Sequence, residues 1–194
     1  GDSDYVDVPL SGLLSKDYAA TRRALITPTA ANPPVVQPGN PYPYVTGKKK
    51  GKGKPKGHVA LSSTRPGTTT HLVTADKWGN VVSYTFTIES AGGAGIVVPG
   101  YGFLLNTELT DFNFTPGTAN SPDSGKRPRS SMAPTIVLKN DKPFLAEGSP
   151  GGSTIIGTVL QILFDRIDEG FTLPNAIADP RADQRNGSTT TAEP

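Results

Sequence analysis

The sequence contains no cysteine, which excludes disulfide bonds, zinc sites built on thiolates and a cysteine nucleophile. It has only two histidines, His58 and His71, so a histidine-rich metal site is not expected either. No apolar run approaches the roughly 20 residues that a membrane-spanning helix needs, and the first residues show no signal-peptide pattern. The chain opens without a methionine, so the missing signal says little about its location.

Apolar residues are also scarce, at 35% of 194 residues, whereas glycine and proline are frequent, with 22 and 19 copies. Part of the chain is therefore not expected to pack into a core. The Pro-, Gly- and Lys-rich stretch from residue 27 to the Thr68–Thr69 bond is the clearest case, and its composition is typical of a flexible linker.

Six lysines lie between residues 48 and 56, so the rest of the chain is net acidic although the formal net charge is +2. Such a run could bind nucleic acid or an anionic membrane surface. It has no interleaved aromatic residue on which a base could stack, so a solvated linker is the preferred interpretation. We expect no nucleic-acid partner.

Strand and helix patterns indicate an α+β protein. One helix is predicted within residues 4–26, with Ser15 as its N-cap. The other predicted elements are apolar segments bounded by turn residues. They are a hairpin of 70–76 and 81–90, short apolar runs at 96–98 and 103–105, a hairpin of 134–139 and 143–147, a long helix at 153–169 and a shorter one at 174–179. The polar tail from 181 to 194 carries no predicted element.

These patterns begin abruptly at Thr69. If the peptide bond before Thr69 were cut, this residue would carry both a hydroxyl nucleophile and an α-amine, which titrates near pH 8 and can act as the general base for that hydroxyl. An ordinary strand start is the simpler interpretation. His71 lies two residues on, on the same strand face, so a Ser-His-Asp arrangement is also conceivable, although the chain has no Gly-x-Ser-x-Gly elbow.

Gly151 and Gly152 stand between a predicted strand and the long apolar helix. Backbone N–H groups at a helix start are unpaired and face the positive end of the helix dipole, and glycine has no Cβ to block a close approach. The pair is suited to an oxyanion hole. A tight turn that merely requires glycine is the alternative.

Five blocks of this sequence resemble the γ-glutamyltranspeptidase family in the same order and at compatible spacing: TTH (69–71), DKWGNVVSYTFT (76–87), GFLLNTELTDF (102–112), KRPRSSMAPTIV (126–137) and GSPGGSTII (148–156). Members of that family are Ntn hydrolases, whose proenzyme cuts itself once to expose an N-terminal threonine as nucleophile. The resemblance implies an αββα four-layer sandwich with antiparallel sheets, of which this chain supplies a part.

The family's motifs imply a role for each matching residue. Self-cleavage would fall between Thr68 and Thr69, and Thr69 would be the nucleophile. Thr87 matches the catalytic threonine whose hydroxyl hydrogen-bonds the nucleophile. Gly151 and Gly152 match the glycines of the oxyanion hole. Ser130 and Ser131 match the two serines that would hold the substrate α-carboxylate. Glu108 and Asp111 match the two acidic residues that would hold its α-ammonium. Glu89 stands where the family often has an asparagine that contacts the same ammonium.

The resemblance further implies that 1–26 is the C-terminal helical part of the large subunit, that 27–68 is the linker ending at the cleavage site, and that 69–194 begins the small catalytic subunit. The implied activity is transfer of the γ-glutamyl group of glutathione or a related amide to an amino acid, a peptide or water, without metal or organic cofactor. The remainder of the large subunit is the implied protein partner, and the implied location is extracellular, periplasmic or at the cell surface.

Two alternatives to this activity are open. A related cephalosporin or glutaryl acylase would share the nucleophile and differ at the ammonium-binding carboxylates. An inactive fragment with a polyanion-binding lysine run would not depend on Thr69. Because sheet edges and substrate contacts would be missing from a partial sandwich, we expect this chain alone to have little or no activity.

Overall fold

The computed structural model of the protein describes residues 1–29, 35–47 and 68–194. The lysine run and most of the predicted linker, at 30–34 and 48–67, lie outside these described residues. The chain divides into two compact units. The first comprises the described residues of Gly1–Ala60 with Asp111–Arg129 and Arg185–Thr189, and the second those of Leu61–Thr110 with Ser130–Gln184 and Thr190–Pro194.

The first unit has two short helices, α1 (Leu10–Leu13) and α2 (Lys16–Arg23), in place of the single predicted helix. Ser15 interrupts the helical backbone, because it has an extended conformation. Its side chain accepts a hydrogen bond from the Tyr18 N–H at 3.4 Å, which confirms the predicted N-cap. A 3₁₀ turn at Tyr42–Tyr44 follows in the described part of the linker.

The loop at 115–129 carries no helix or strand and is anchored through Arg127. Its guanidinium donates to both carboxylate oxygens of Asp2, at 2.6 and 2.9 Å, and to Asp4 at 2.6 Å. The hydrogen bonds from Arg127 lower the pKa of Asp2 well below its ordinary value. This ion pair fixes the N-terminal residues to the loop within the first unit.

The second unit begins with the antiparallel hairpin β1 (Thr70–Ala75) and β2 (Val81–Phe86). The Asp76 side chain shapes its turn by accepting from the N–H groups of Trp78 and Asn80, both at 2.9 Å. The prediction of this hairpin is confirmed, but the second strand ends before residue 90. The predicted runs at 96–98 and 103–105 form only an isolated bridge between Val97 and Leu104.

The second predicted hairpin is also confirmed, as β3 (Thr135–Lys139) and β4 (Lys142–Glu147). Asn140 and Asp141 connect the strands with φ angles of 53° and 60°, the left-handed values that a tight two-residue hairpin turn requires. Residues of β2 contact β3 and β4, so the two hairpins lie side by side within the second unit.

The long helix α3 spans Ile155–Ile167 and is preceded by a 3₁₀ turn at Gly152–Thr154. Ile155, Val159 and Ile162 are buried along one of its faces, which packs against α4 (Leu173–Ala178). Both helices were predicted. Ile156, Leu160, Phe164 and Ile167 of the apolar stripe are exposed. One face of the β1–β2 hairpin is also exposed, where Leu72, Val82, Tyr84 and Phe86 lie.

The polar tail, in which no element was predicted, has secondary structure. It forms the hairpin β5 (Ala182–Gln184) and β6 (Thr190–Ala192). Arg181 closes the open end of this hairpin by pairing with Glu193 at 2.8 Å, and Gln161 of α3 accepts from the Ala182 N–H at 3.0 Å. In the described part of the chain, no helix is both long and apolar enough to cross a membrane.

Candidate active site

Thr69 lies immediately before β1, at the level of Thr87 just after β2. The strand register pairs Thr70 with Phe86, and extending it by one residue brings the side chains of Thr69 and Thr87 to the same face. The Thr69 hydroxyl donates to Thr87 Oγ1 at 3.1 Å, and the Glu89 N–H donates to the same oxygen at 2.8 Å. The Thr87 side chain therefore holds the Thr69 hydroxyl, and the Glu89 N–H orients the Thr87 side chain.

The residues after Thr87 form a tight turn centred on Glu89. Glu89 has a φ of 69°, in the left-handed region that a non-glycine residue rarely adopts. Its carboxylate accepts hydrogen bonds from the hydroxyls of Ser90 and Thr107, the latter at 3.1 Å. Thr107 and Ser90 were not predicted as site residues, because Ser90 lies outside the five blocks, Thr107 has no implied role within its block, and only the turn brings them together.

Thr68 joins this turn from the other side of the predicted cleavage bond. Its N–H donates to the Glu89 carbonyl and its hydroxyl to the Ser90 carbonyl, each at 3.2 Å. The resemblance implied Thr68, Thr69, Thr87 and Glu89 as site residues and a hydrogen bond between Thr69 and Thr87, but it did not relate Thr68 or Glu89 to Thr87. The structure brings all four into one hydrogen-bonded cluster.

The glycine turn stands between β4 and α3, as predicted. Gly151 has a φ of 137° and Gly152 a φ of 58°, so both use conformations that favour glycine. The Gly151 carbonyl accepts from the N–H and the hydroxyl of Thr154, at 3.2 and 2.9 Å. Among the described residues, the N–H groups of Gly151 and Gly152 have no acceptor, so they remain able to bind an anionic oxygen.

His71 links the glycine turn to the strand that follows Thr69. A Cβ on Gly148 would lie only 2.4 Å from the imidazole, so the ring packs directly against that backbone. Its Nδ1 lies 2.7 Å from Thr85 Oγ1 and its Nε2 3.5 Å from Ser83 Oγ, and Ser83 also donates to the Glu147 carbonyl at 2.9 Å. These contacts fix the start of the glycine turn relative to β1 and β2.

This environment of His71 gives no support to a Ser-His-Asp arrangement. The ring is engaged by hydroxyls of β2, and no aspartate hydrogen-bonds to it in the described chain. Burial lowers the pKa of His71 below its ordinary value, which favours the neutral imidazole. We interpret His71 as a structural residue that joins two parts of the site.

Glu147, the last residue of β4, is buried with 7% of its surface exposed. Neither carboxylate oxygen has a hydrogen-bond partner among the described residues. Burial raises the pKa of Glu147 to about 7. No sequence motif indicated Glu147 as a site residue, although strand alternation places it on the same face as the buried Leu145.

The predicted substrate-binding residues lie on two further segments. Glu108 and Asp111 begin and end a single 3₁₀ turn, and both are half-buried. Ser130 and Ser131 precede β3, and the Ser130 hydroxyl accepts from the Met132 N–H at 3.2 Å. In the described part of the chain, neither serine shares a hydrogen bond with Thr69. The described residues contain no cluster of three or more His, Cys, Asp or Glu side chains able to hold a metal ion.

Comparisons with known proteins identify relatives of this chain. The γ-glutamyltranspeptidase family model matches residues 1–194. The glutathione hydrolase proenzyme of Bacillus subtilis is 49% identical over 183 residues, which are 93% of this chain and 30% of the relative. The chain thus spans about a third of the length of that relative.

Two solved structures are also similar. A γ-glutamyltranspeptidase mutant from Helicobacter pylori shares 48% identity and a TM-score of 0.56, over 59% of this chain and 67% of that chain. A cephalosporin acylase from Bacillus halodurans shares 27% identity and a TM-score of 0.78, over 100% of this chain and 30% of that chain. Because the family model matches the whole chain and the Bacillus subtilis proenzyme is 49% identical to it, this chain belongs to the γ-glutamyltranspeptidase family.

Proposed function

We propose that this chain is the part of a self-cleaving γ-glutamyltransferase and glutathione hydrolase that surrounds its cleavage site. The observation that carries the proposal is the pair of hydrogen bonds on Thr87, which accepts from Thr69 and from the Glu89 backbone. A threonine hydroxyl fixed immediately before a strand is the position that an N-terminal nucleophile needs. Family membership supports the activity and the form of the precursor.

In the proposed maturation, Thr69 Oγ1 attacks the carbonyl carbon of Thr68 and the C–N bond breaks. An ester then joins the Thr68 acyl group to Thr69 Oγ1, and the α-amine of Thr69 is released with the proton that the hydroxyl gives up. Water hydrolyses the ester, leaving a carboxylate on Thr68 and a free hydroxyl on Thr69. Residues 1–68 would then end the large subunit, and 69–194 would begin the small one.

In the proposed turnover, the free α-amine of Thr69 takes the proton from its own hydroxyl as that oxygen attacks the γ-amide of a γ-glutamyl donor such as glutathione. The N–H groups of Gly151 and Gly152 stabilise the tetrahedral oxyanion. The amine of the donor leaves with a proton, and a γ-glutamyl ester forms on Thr69. An amino acid, a peptide or water resolves this ester and restores the hydroxyl.

Substrate recognition is proposed to rest on opposite charges at the two ends of the γ-glutamyl group. The carboxylates of Glu89, Glu108 and Asp111 supply negative charge and acceptors for the α-ammonium. The hydroxyls of Ser130 and Ser131 donate to the α-carboxylate. The segments that carry these residues are proposed to surround the donor only in the complete protein.

The uncovered apolar faces support a larger assembly. The exposed faces of the β1–β2 hairpin and of α3 carry large apolar side chains, including Tyr84, Phe86 and Phe164, which are 52%, 41% and 51% exposed. We therefore propose that the remainder of the large subunit and of the small one covers them and completes a four-layer αββα sandwich. Family membership is also the basis for proposing an extracellular, periplasmic or cell-surface location.

The test is the mass and N-terminal sequence of the complete precursor. We expect two pieces, one of which begins at Thr69, and γ-glutamyl-p-nitroanilide hydrolysis that appears together with them. Thr69→Ala should leave a single piece without activity. A precursor that stays intact and yet hydrolyses the donor would refute the proposal.

A related acylase is the second candidate, favoured by the likeness of the whole chain to the cephalosporin acylase structure. The two candidates differ in whether the acyl group carries an α-amine. Comparing γ-glutamyl-p-nitroanilide with glutaryl-p-nitroanilide separates them, since only the first has the ammonium that three carboxylates would bind. A preference for the glutaryl compound would favour the acylase.

A further inference from the structure

Thr68 is held by two hydrogen bonds that the proposed turnover does not use. Its N–H donates to the Glu89 carbonyl and its hydroxyl to the Ser90 carbonyl, each at 3.2 Å. Thr68 is half-buried, and its partners are backbone atoms of the turn that also carries Thr87. Both residues that flank the proposed cleavage bond are therefore fixed to the same four-residue turn.

The turn is itself braced against the rest of the second unit. Thr107 donates its backbone N–H to the Ile88 carbonyl at 3.1 Å, and its hydroxyl oxygen accepts from the Ser90 N–H at 3.2 Å. The hydroxyls of Ser90 and Thr107 also reach the Glu89 carboxylate. These bonds hold Glu89 in its left-handed conformation and fix the directions of the two carbonyls that receive Thr68.

We propose that Thr68 is a positioning residue for self-cleavage, whose side-chain hydroxyl sets the direction of the carbonyl that Thr69 attacks. Because the N–H and Oγ1 of Thr68 are both hydrogen-bonded, its carbonyl can change direction only by rotation about the Cα–C bond. The hydrogen bond between Thr69 and Thr87 limits this rotation, because it fixes the residue on the other side of the carbonyl. Holding two reacting groups in such an arrangement raises their effective concentration. The inference rests on the proposed function and adds a role that ends with maturation.

Thr68 leaves the nucleophile when the bond is cut, because it belongs to the other product. Its hydroxyl should therefore affect the rate of self-cleavage and leave the turnover of the mature enzyme unchanged. A residue needed only for folding would not separate these two rates. Neither would a residue that acts in catalysis.

The experiment compares Thr68→Val and Thr68→Ser in the complete precursor, purified before cleavage and followed by gel electrophoresis. Valine keeps the shape and β-branching of threonine but removes the donor, so cleavage should slow about fivefold, as expected for one hydrogen bond. Serine keeps the hydroxyl and should restore most of the rate. Thr74→Val, the same substitution near the far end of β1, is the matched control and should cleave at the wild-type rate.

The second readout is kcat and KM for γ-glutamyl-p-nitroanilide, counted per cleaved molecule, which should be equal in all four proteins. Wild-type cleavage by Thr68→Val would overturn the proposal, and so would a lower kcat of its cleaved form. Equal slowing in Thr68→Val and Thr68→Ser would overturn it as well, because the hydroxyl would then not be the cause. If the wild type does not cleave before Thr69 at all, it is the proposed function that fails.

Discussion

The buried carboxyl of Glu147 should make the stability of this protein depend on pH. In the folded state its pKa is about 7, against an ordinary value of 4.5, because burial penalises the charged form. A group whose folded pKa is raised stabilises the fold fully below its unfolded pKa, and this contribution is lost as the pH rises through the folded pKa. Since each unit of pKa difference corresponds to about 1.4 kcal/mol, the loss between about pH 4.5 and neutral pH is about 3 kcal/mol.

Glu147→Gln removes the titration and keeps the shape of the side chain. We expect the free energy of unfolding of this variant, relative to the wild type, to rise by about 3 kcal/mol between about pH 5 and about pH 8. Urea unfolding followed by circular dichroism at several pH values measures this difference. Other titrating groups are common to both proteins and cancel.

Glu193→Gln is the matched control. The hydrogen bonds from Arg181 lower the pKa of Glu193 below its ordinary value of 4.5, so this carboxyl is charged in both the folded and the unfolded state above about pH 5. Its effect on stability should be constant from there to about pH 8 and should change only in more acidic solution. A difference between wild type and Glu147→Gln that does not vary with pH would refute the reasoning for Glu147.

Two further predictions concern the proposed catalytic groups in the complete protein. Thr87→Val removes the acceptor of the Thr69 hydroxyl and should lower kcat of the cleaved enzyme about tenfold to hundredfold with little change in KM, whereas Thr87→Ser should retain most of the activity; a kcat within about twofold of wild type for the valine variant would contradict this role. Gly152→Ala should cost about 1 kcal/mol of stability, because its φ is 58° in open space. Gly151→Ala should cost clearly more in thermal unfolding, since its φ is 137° and a Cβ would lie 2.6 Å from a side-chain oxygen; equal losses for the two glycines would contradict this geometry.

The sequence predicted the elements whose signals are local. The apolar spacing of α3 and the turn residues at Gly79-Asn80 and Asn140-Asp141 each act within a few neighbouring residues, so both hairpins and the helix could be located. The hairpin of β5 and β6 could not, because its strands are three residues long and polar. It is held by Arg181, Glu193 and Gln161, which meet only after the chain has folded.

The candidate site divides in the same way. Its residue types and their order along the chain, from Thr69 to Gly152, were readable because motifs are contiguous. The turn at Glu89 was not, since a left-handed non-glycine residue has no pattern of its own and depends on the hydroxyls of Ser90 and Thr107.

By itself, the sequence excluded a cysteine nucleophile and, through the five blocks that resemble the family, indicated a threonine one. The tertiary structure decided which groups act on one another. It joined Thr68 and Thr69 to one turn, packed His71 against Gly148, and buried the carboxyl of Glu147. Distances between residues far apart in the chain, and exclusion from water, follow from packing, and no local pattern encodes them.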